Sequence, residues 1–230
     1  MNPPIGAEGY HALSLAIGSL ASLKILDISF FGCSDFVDEP CEDLCENIGK
    51  IKNLEVLGLC FKACSFANKG LKALALCLLG LPKLKKLRMN MGSMTKPTRE
   101  GYEGFIRSLG EVKNLEYLEV NLGRIREIDD GVLEVIGKSL RGLKKLRTLC
   151  LELAKCEELT DEGVERFIEC FEGLEGLYDL SLDLRNCDRV TKKGVRCVYE
   201  KLKEKHGMAI EGVSYSYKWI NMKNRMPEDE

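Results

Sequence analysis

The motif Leu-x-x-Leu-x-Leu recurs along this chain beginning at Leu23, Leu54, Leu84, Leu115, Leu146 and Leu177, with spacings of 31, 30, 31, 31 and 31 residues. A period of that length dictates architecture, because each unit is one supersecondary element that buries its apolar face only against its neighbours. The residues three after each starting leucine are Leu26, Leu57, Leu87, Leu118, Leu149 and Leu180. Two further on stand Ile28, Leu59, Met89, Val120, Leu151 and Leu182, and two beyond those Phe30, Phe61, Met91, Leu122, Leu153 and Leu184. Apolar residues at every second place predict a strand at the start of each unit.

Each unit then turns into a segment marked by Gly70, Gly101, Gly131, Gly163 or Gly194, with Pro40 at the equivalent place of the first unit. After Gly163 the apolar residues Val164, Phe167, Ile168, Phe171 and Leu174 fall at helical spacing, so each unit closes with a helix. Thr160 and Asp161, and Asp129 elsewhere, are suited to accept the free N–H groups at helix starts. Read backward, the template places Gly9, Leu13, Ile17 and Leu20 on a leading helix, which accounts for an apolar stretch that otherwise resembles a signal segment without its basic flank.

A strand-helix unit carrying this motif resembles a leucine-rich repeat, and the sequence Leu146 to Val164, with Cys156, Leu159, Thr160, Asp161 and Gly163, is similar to the ribonuclease-inhibitor-like and cysteine-containing subclasses. The resemblance covers about residues 5 to 215. It implies an α/β fold: a right-handed horseshoe solenoid with parallel strands on the concave side and helices on the convex side. The expected divisions are a half repeat over 1–22, six repeats over 23–207, and a closing strand with a tail over 208–230. Val213 lies 31 residues after Leu182, in the phase of a seventh strand, although Glu211 stands in place of the recurrent leucine.

Composition narrows the function. With 34 basic and 36 acidic residues, 45% hydrophobic and 30% charged content, the chain is neither disordered nor a basic nucleic-acid binder. No apolar run approaches the length needed to cross a bilayer, so membrane insertion is not expected. The 11 cysteines are odd in number and point to reduced thiols and a cytoplasmic setting. Cys33, Cys64, Cys156 and Cys187 share a column with Met94 and Ile125, which argues for packing rather than metal ligation. Cys60 and Cys150 fall on outward strand positions and are the thiols most open to a partner or oxidant. His11 and His206 sit in distant units, phosphate loops are absent, and neither catalysis, cofactor nor metal is expected.

Binding is left to the outer surfaces. The variable strand positions form a grid in which Ile25, Val56, Lys86, Tyr117 and Asp179 share one column, Arg88 and Glu119 a second, and Glu152 and Asp183 a third. This grid, apolar at first, basic in the centre and acidic at the end, is the expected protein-binding face. Tyr217 and Trp219 are candidates for C-terminal docking, and two unlike ends permit head-to-tail self-association. The reading is a non-catalytic protein-interaction scaffold. Its alternatives are a structural subunit of a filament or an axonemal or cytoskeletal complex, and a regulator of a GTPase or ubiquitin ligase, with Arg124 and Arg126 as the arginines to test.

Overall fold

In a computed structural model, seven helices alternate with seven strands and an eighth strand follows, over residues 5–171, 174, 176–206, 209–214 and 219–223, the part of the chain described here. They are α1 (Gly6–Gly18), β1 (Ile25–Ser29), α2 (Asp38–Ile48), β2 (Val56–Cys60), α3 (Asn68–Leu79), β3 (Lys86–Asn90), α4 (Arg99–Leu109), β4 (Tyr117–Asn121), α5 (Asp130–Leu140), β5 (Thr148–Glu152), α6 (Asp161–Glu169), β6 (Asp179–Asp183), α7 (Lys192–His206), β7 (Ala209–Ser214) and β8 (Trp219–Lys223). Strands β1 to β6 pair in sequence order, all parallel, and each helix packs on the next, giving an α/β repeat solenoid.

The strand register follows the sequence period. Leu26 pairs with Leu57, then Leu87, Leu118, Leu149 and Leu180, and the column of Ile28 stacks likewise through Leu182. From β2 onward both columns are buried; in β1, at the open edge, Leu26 and Ile28 are only half-buried. The helix layer at that end is closed by α1, whose Tyr10 ring stands edge-on to Phe36 at 5.1 Å and whose hydroxyl donates to Asp35 at 2.9 Å.

Three side-chain ladders tie consecutive units together. In the first, the residue opening each helix reaches the next unit's helix start. Asp38 accepts from the N–H groups of Ala67 and Gly70, both at 2.8 Å; Asn68 accepts from the Thr98 N–H; Asp130 accepts from the Thr160 N–H and hydroxyl; Asp161 serves Thr191 in the same way. Arg99 occupies this column in α4 and instead forms an ion pair with Asp129. Thr98, Asp129 and Thr160 are the N-caps, the last two as the sequence suggests, but Asp161 bonds forward rather than capping its own helix.

The second ladder explains the cysteine column. Cys64 Sγ donates to the Phe30 carbonyl at 3.0 Å, Cys156 to Leu122 at 3.4 Å and Cys187 to Leu153 at 3.2 Å, so these thiols contribute hydrogen bonds between coils as well as volume. In the third, on the edge where the strands begin, Lys83 donates to Asn53 and Lys145 to Asn114, both at 2.7 Å. Between strand and helix each unit turns through one left-handed residue: Gly32, Ala63, Ser93, Arg124, Lys155 and Asn186, with φ between 58° and 72°.

The C-terminal strands depart from the expected continuation. The strand next to β6 is β8, antiparallel, with Asp183 opposite Trp219; β7, which contains Val213, lies outside it and pairs with β8 antiparallel. A parallel seventh coil would carry Glu211 at the inner leucine place, where a carboxylate has no partner for its charge. Tyr215 and Tyr217 lie outside the described residues. Among the described residues no helix is long and apolar enough to cross a membrane.

Candidate protein-binding face

The concave surface is made by the strand residues that alternate with the buried columns. Ile25, Val56, Lys86, Tyr117, Thr148 and Asp179 are in register; so are Asp27, Gly58, Arg88, Glu119, Cys150 and Ser181, and Ser29, Cys60, Asn90, Asn121, Glu152 and Asp183. A depression of about 500 Å³ brings Arg88, Glu119, Glu152 and Asp183 together with Asp27 and Cys150. The first column, with Ile25, Val56, Lys86, Tyr117 and Asp179, stands outside it at the strand starts.

The expected basic centre is largely neutralised from within. Arg88 reaches across β2 to Asp27 at 3.2 Å, a pair separated by 61 residues. Gly58 lies between them, and a Cβ there would approach the Asp27 carboxylate to 2.6 Å. The glycine therefore clears the path for the ion pair. Lys86 remains exposed beside it, and its side chain makes no hydrogen bond or ion pair among the described residues.

The third column is mostly occupied in turning the chain. Ser29 accepts from the Phe31 N–H at 3.3 Å, Asn90 from Gly92 at 3.1 Å, Asn121 from Gly123 at 2.9 Å and Asp183 from Arg185 at 3.0 Å. These are side-chain turns of the kind short polar residues favour at strand ends. Asp183 is almost fully buried and also binds the Arg185 guanidinium at 2.6 Å. Arg185 is absent from the sequence-derived face; the signal for it is its place two residues beyond an Asp that folds the turn back. Glu152 makes no such bond. Its carboxyl is held above the usual range, first by partial burial and then by Asp183, with Glu119 adding repulsion and Arg185 and Lys62 opposing it.

Tyr117 donates to Glu119 at 2.7 Å, and burial with that bond pushes its phenol up. Burial likewise raises the Cys150 thiol, so this half-buried sulfur is a weaker nucleophile than a free cysteine. Cys45, hydrogen-bonded with Cys41 and Cys77 in the helix layer, is raised further. Among the described residues no group of three or more His, Cys, Asp or Glu is arranged to hold a metal ion.

The other sequence-derived candidates scatter. Arg124 and Arg126 are exposed on the turns after β4. The basic runs are tied into local bonds: Lys85 to Glu55 at 3.2 Å, Arg141 to the Cys170 carbonyl at 3.0 Å, and Lys83 and Lys145 in their ladder. Trp219 opens β8, and Tyr217 lies outside the described residues.

No protein-family model and no curated protein matches the chain. Among solved structures, leiomodin-1 actin-binding site 2 aligns with a TM-score of 0.53 and 14% identity, over 75% of this chain and 91% of that one. The tropomodulin C-terminal domain of Caenorhabditis elegans aligns with a TM-score of 0.47 and 18% identity, over 73% and 92%. The fold is that of a leucine-rich-repeat solenoid.

Proposed function

We propose that the chain is a non-catalytic protein-interaction scaffold that docks its partner on the concave sheet. One observation carries the reading: six parallel strands in unbroken register present side chains that change in chemistry from coil to coil over a consistently apolar inner layer. Packing explains the apolar columns; outside the turn-forming third column and the Arg88–Asp27 pair, it does not explain the variable ones, which are free to be selected for a partner. The repeats over 23–207 would supply this face, with 1–22 and 208–230 as terminal units. The thiol ladder supports the cysteine-containing repeat subclass, and the 11 free thiols support a reducing, cytoplasmic setting.

The test is affinity capture on the full chain followed by cross-linking. Cross-links concentrated on β2 to β6 are expected; cross-links confined to the convex helices or the ends would overturn the reading. A second reading, a subunit of a cytoskeletal assembly, draws on the fold likeness to leiomodin-1 actin-binding site 2. Co-sedimentation with filamentous actin tests it directly, and protein remaining in the supernatant at saturating filament removes actin as the partner. In the regulator reading, Arg124→Ala and Arg126→Ala would have to lower GTPase stimulation.

A further inference from the structure

We infer that the concave face takes an amphipathic partner segment, with lysine or arginine side chains over Glu119 and Glu152 and apolar side chains toward Ile25 and Val56. This rests on the scaffold reading above and narrows its partner.

Charge on the floor is the first argument. The three columns hold two basic residues, Lys86 and Arg88, against five acidic ones, Asp27, Glu119, Glu152, Asp179 and Asp183. Arg88 is engaged by Asp27, and Asp183 by Arg185. Lys86 stands at the start of β3, outside the depression that Glu119 and Glu152 share. The half of the sheet from β4 to β6 is therefore acidic in excess, and a partner cation is the complement.

Glu152 supplies the second. Four members of its column are held in their own turns, and the two with carboxamides, Asn90 and Asn121, are the right length for it. Glu152 has one more methylene, forms no turn bond, and lines the depression as an exposed residue whose side chain makes no hydrogen bond or ion pair among the described residues. Local structure gives no reason for an acid here. Partial burial of the carboxyl and the nearby Asp183 and Glu119 already disfavour its charge, and a docked cation would offset that repulsion.

The opposite pole is apolar. Ile25 is 62% exposed and Val56 beside it is half-buried, at the edge where β1 has no further strand among the described residues. Six strands about 4.8 Å apart span roughly 24 Å, the length of an extended segment of about seven residues or a helix of about sixteen. A segment with basic residues at one end and apolar residues at the other therefore has a defined direction on the sheet.

The test uses the full chain and a fluorescein-labelled peptide of ten lysines, followed by fluorescence anisotropy. Binding at about 50 mM salt that weakens as salt rises is expected. The double variant E119Q/E152Q should lose about tenfold in affinity, whereas E42Q/E100Q, which removes the same charge from exposed positions on α2 and α4, should not. If the concave double variant fails to fold, E152Q alone, at an exposed site, carries the comparison. Equal losses in both variants, or no binding by the native chain, would overturn the inference. Cross-links of a captured partner separate the two readings: contacts on β2 to β6 that are insensitive to E152Q leave the scaffold standing and remove the basic segment.

Discussion

At Gly163 a Cβ would run into the Asp130 carboxylate, which holds the Thr160 N–H at 2.8 Å and its hydroxyl at 2.5 Å. Gly101 faces Asn68, Gly131 faces Arg99 and Gly194 faces Asp161 in the same relation. None of these glycines has positive φ, so their cause is close approach by the preceding coil rather than backbone freedom. Gly163→Ala should therefore cost about 1–3 kcal/mol, through displacement of a ladder carboxylate, measured as a lower urea midpoint at unchanged slope. Glu152 gives the opposite sign. Its folded carboxyl binds a proton more tightly than the unfolded one, so stability falls as pH rises from the unfolded pKa through the raised folded one. Glu152→Gln should stabilise the chain at pH 7, and the gain should vanish near pH 3, where the carboxyl is protonated in both states. A variant no more stable than the native chain at pH 7 would show that the Glu152 charge carries no net cost in the folded chain.

A helix of nine to fifteen residues in this fold owes little to its own propensity. Its apolar face is fixed by the coil and its start by two side chains, one its own and one from the preceding coil. For α6 these are Thr160, which accepts from the Gly163 N–H at 3.3 Å, and Asp130. Thr160→Ala removes both the cap and the hydroxyl donated to Asp130, and should cost about 1–2 kcal/mol in chemical unfolding; Thr160→Ser, which keeps the hydroxyl, should recover most of it. The caps at Asp129 and Thr160 are legible in sequence because capping is local. The forward bonds of Asp130 and Asp161 are not, since their partners lie 30 residues away and become neighbours only when the coils stack.

Across the described residues, backbone packing runs between adjacent coils, with the Arg88–Asp27 side-chain pair reaching one coil further, so stability is mainly a chain of nearest-neighbour terms and each end has one neighbour fewer. At the amino end α1 covers the helix layer while β1 keeps an open edge with Leu26 and Ile28 half-buried. Amides of β1 should exchange at least about tenfold faster than those of β3 and β4 in native-state hydrogen exchange; equal protection would show that something further covers this edge. Repetition is what made so much readable in advance: a fixed period sets strand, register, buried columns and the grid of outward residues at once, because every coil solves the same packing problem. Two matters depended on the folded chain alone. The reversal that seats β8 against β6 occurs where the period breaks, leaving no template from which to read a direction. The Arg88–Asp27 pair, which turns an expected basic centre into a neutral one, requires a gap at Gly58 between side chains two strands apart, and such a distance exists only once the sheet has formed.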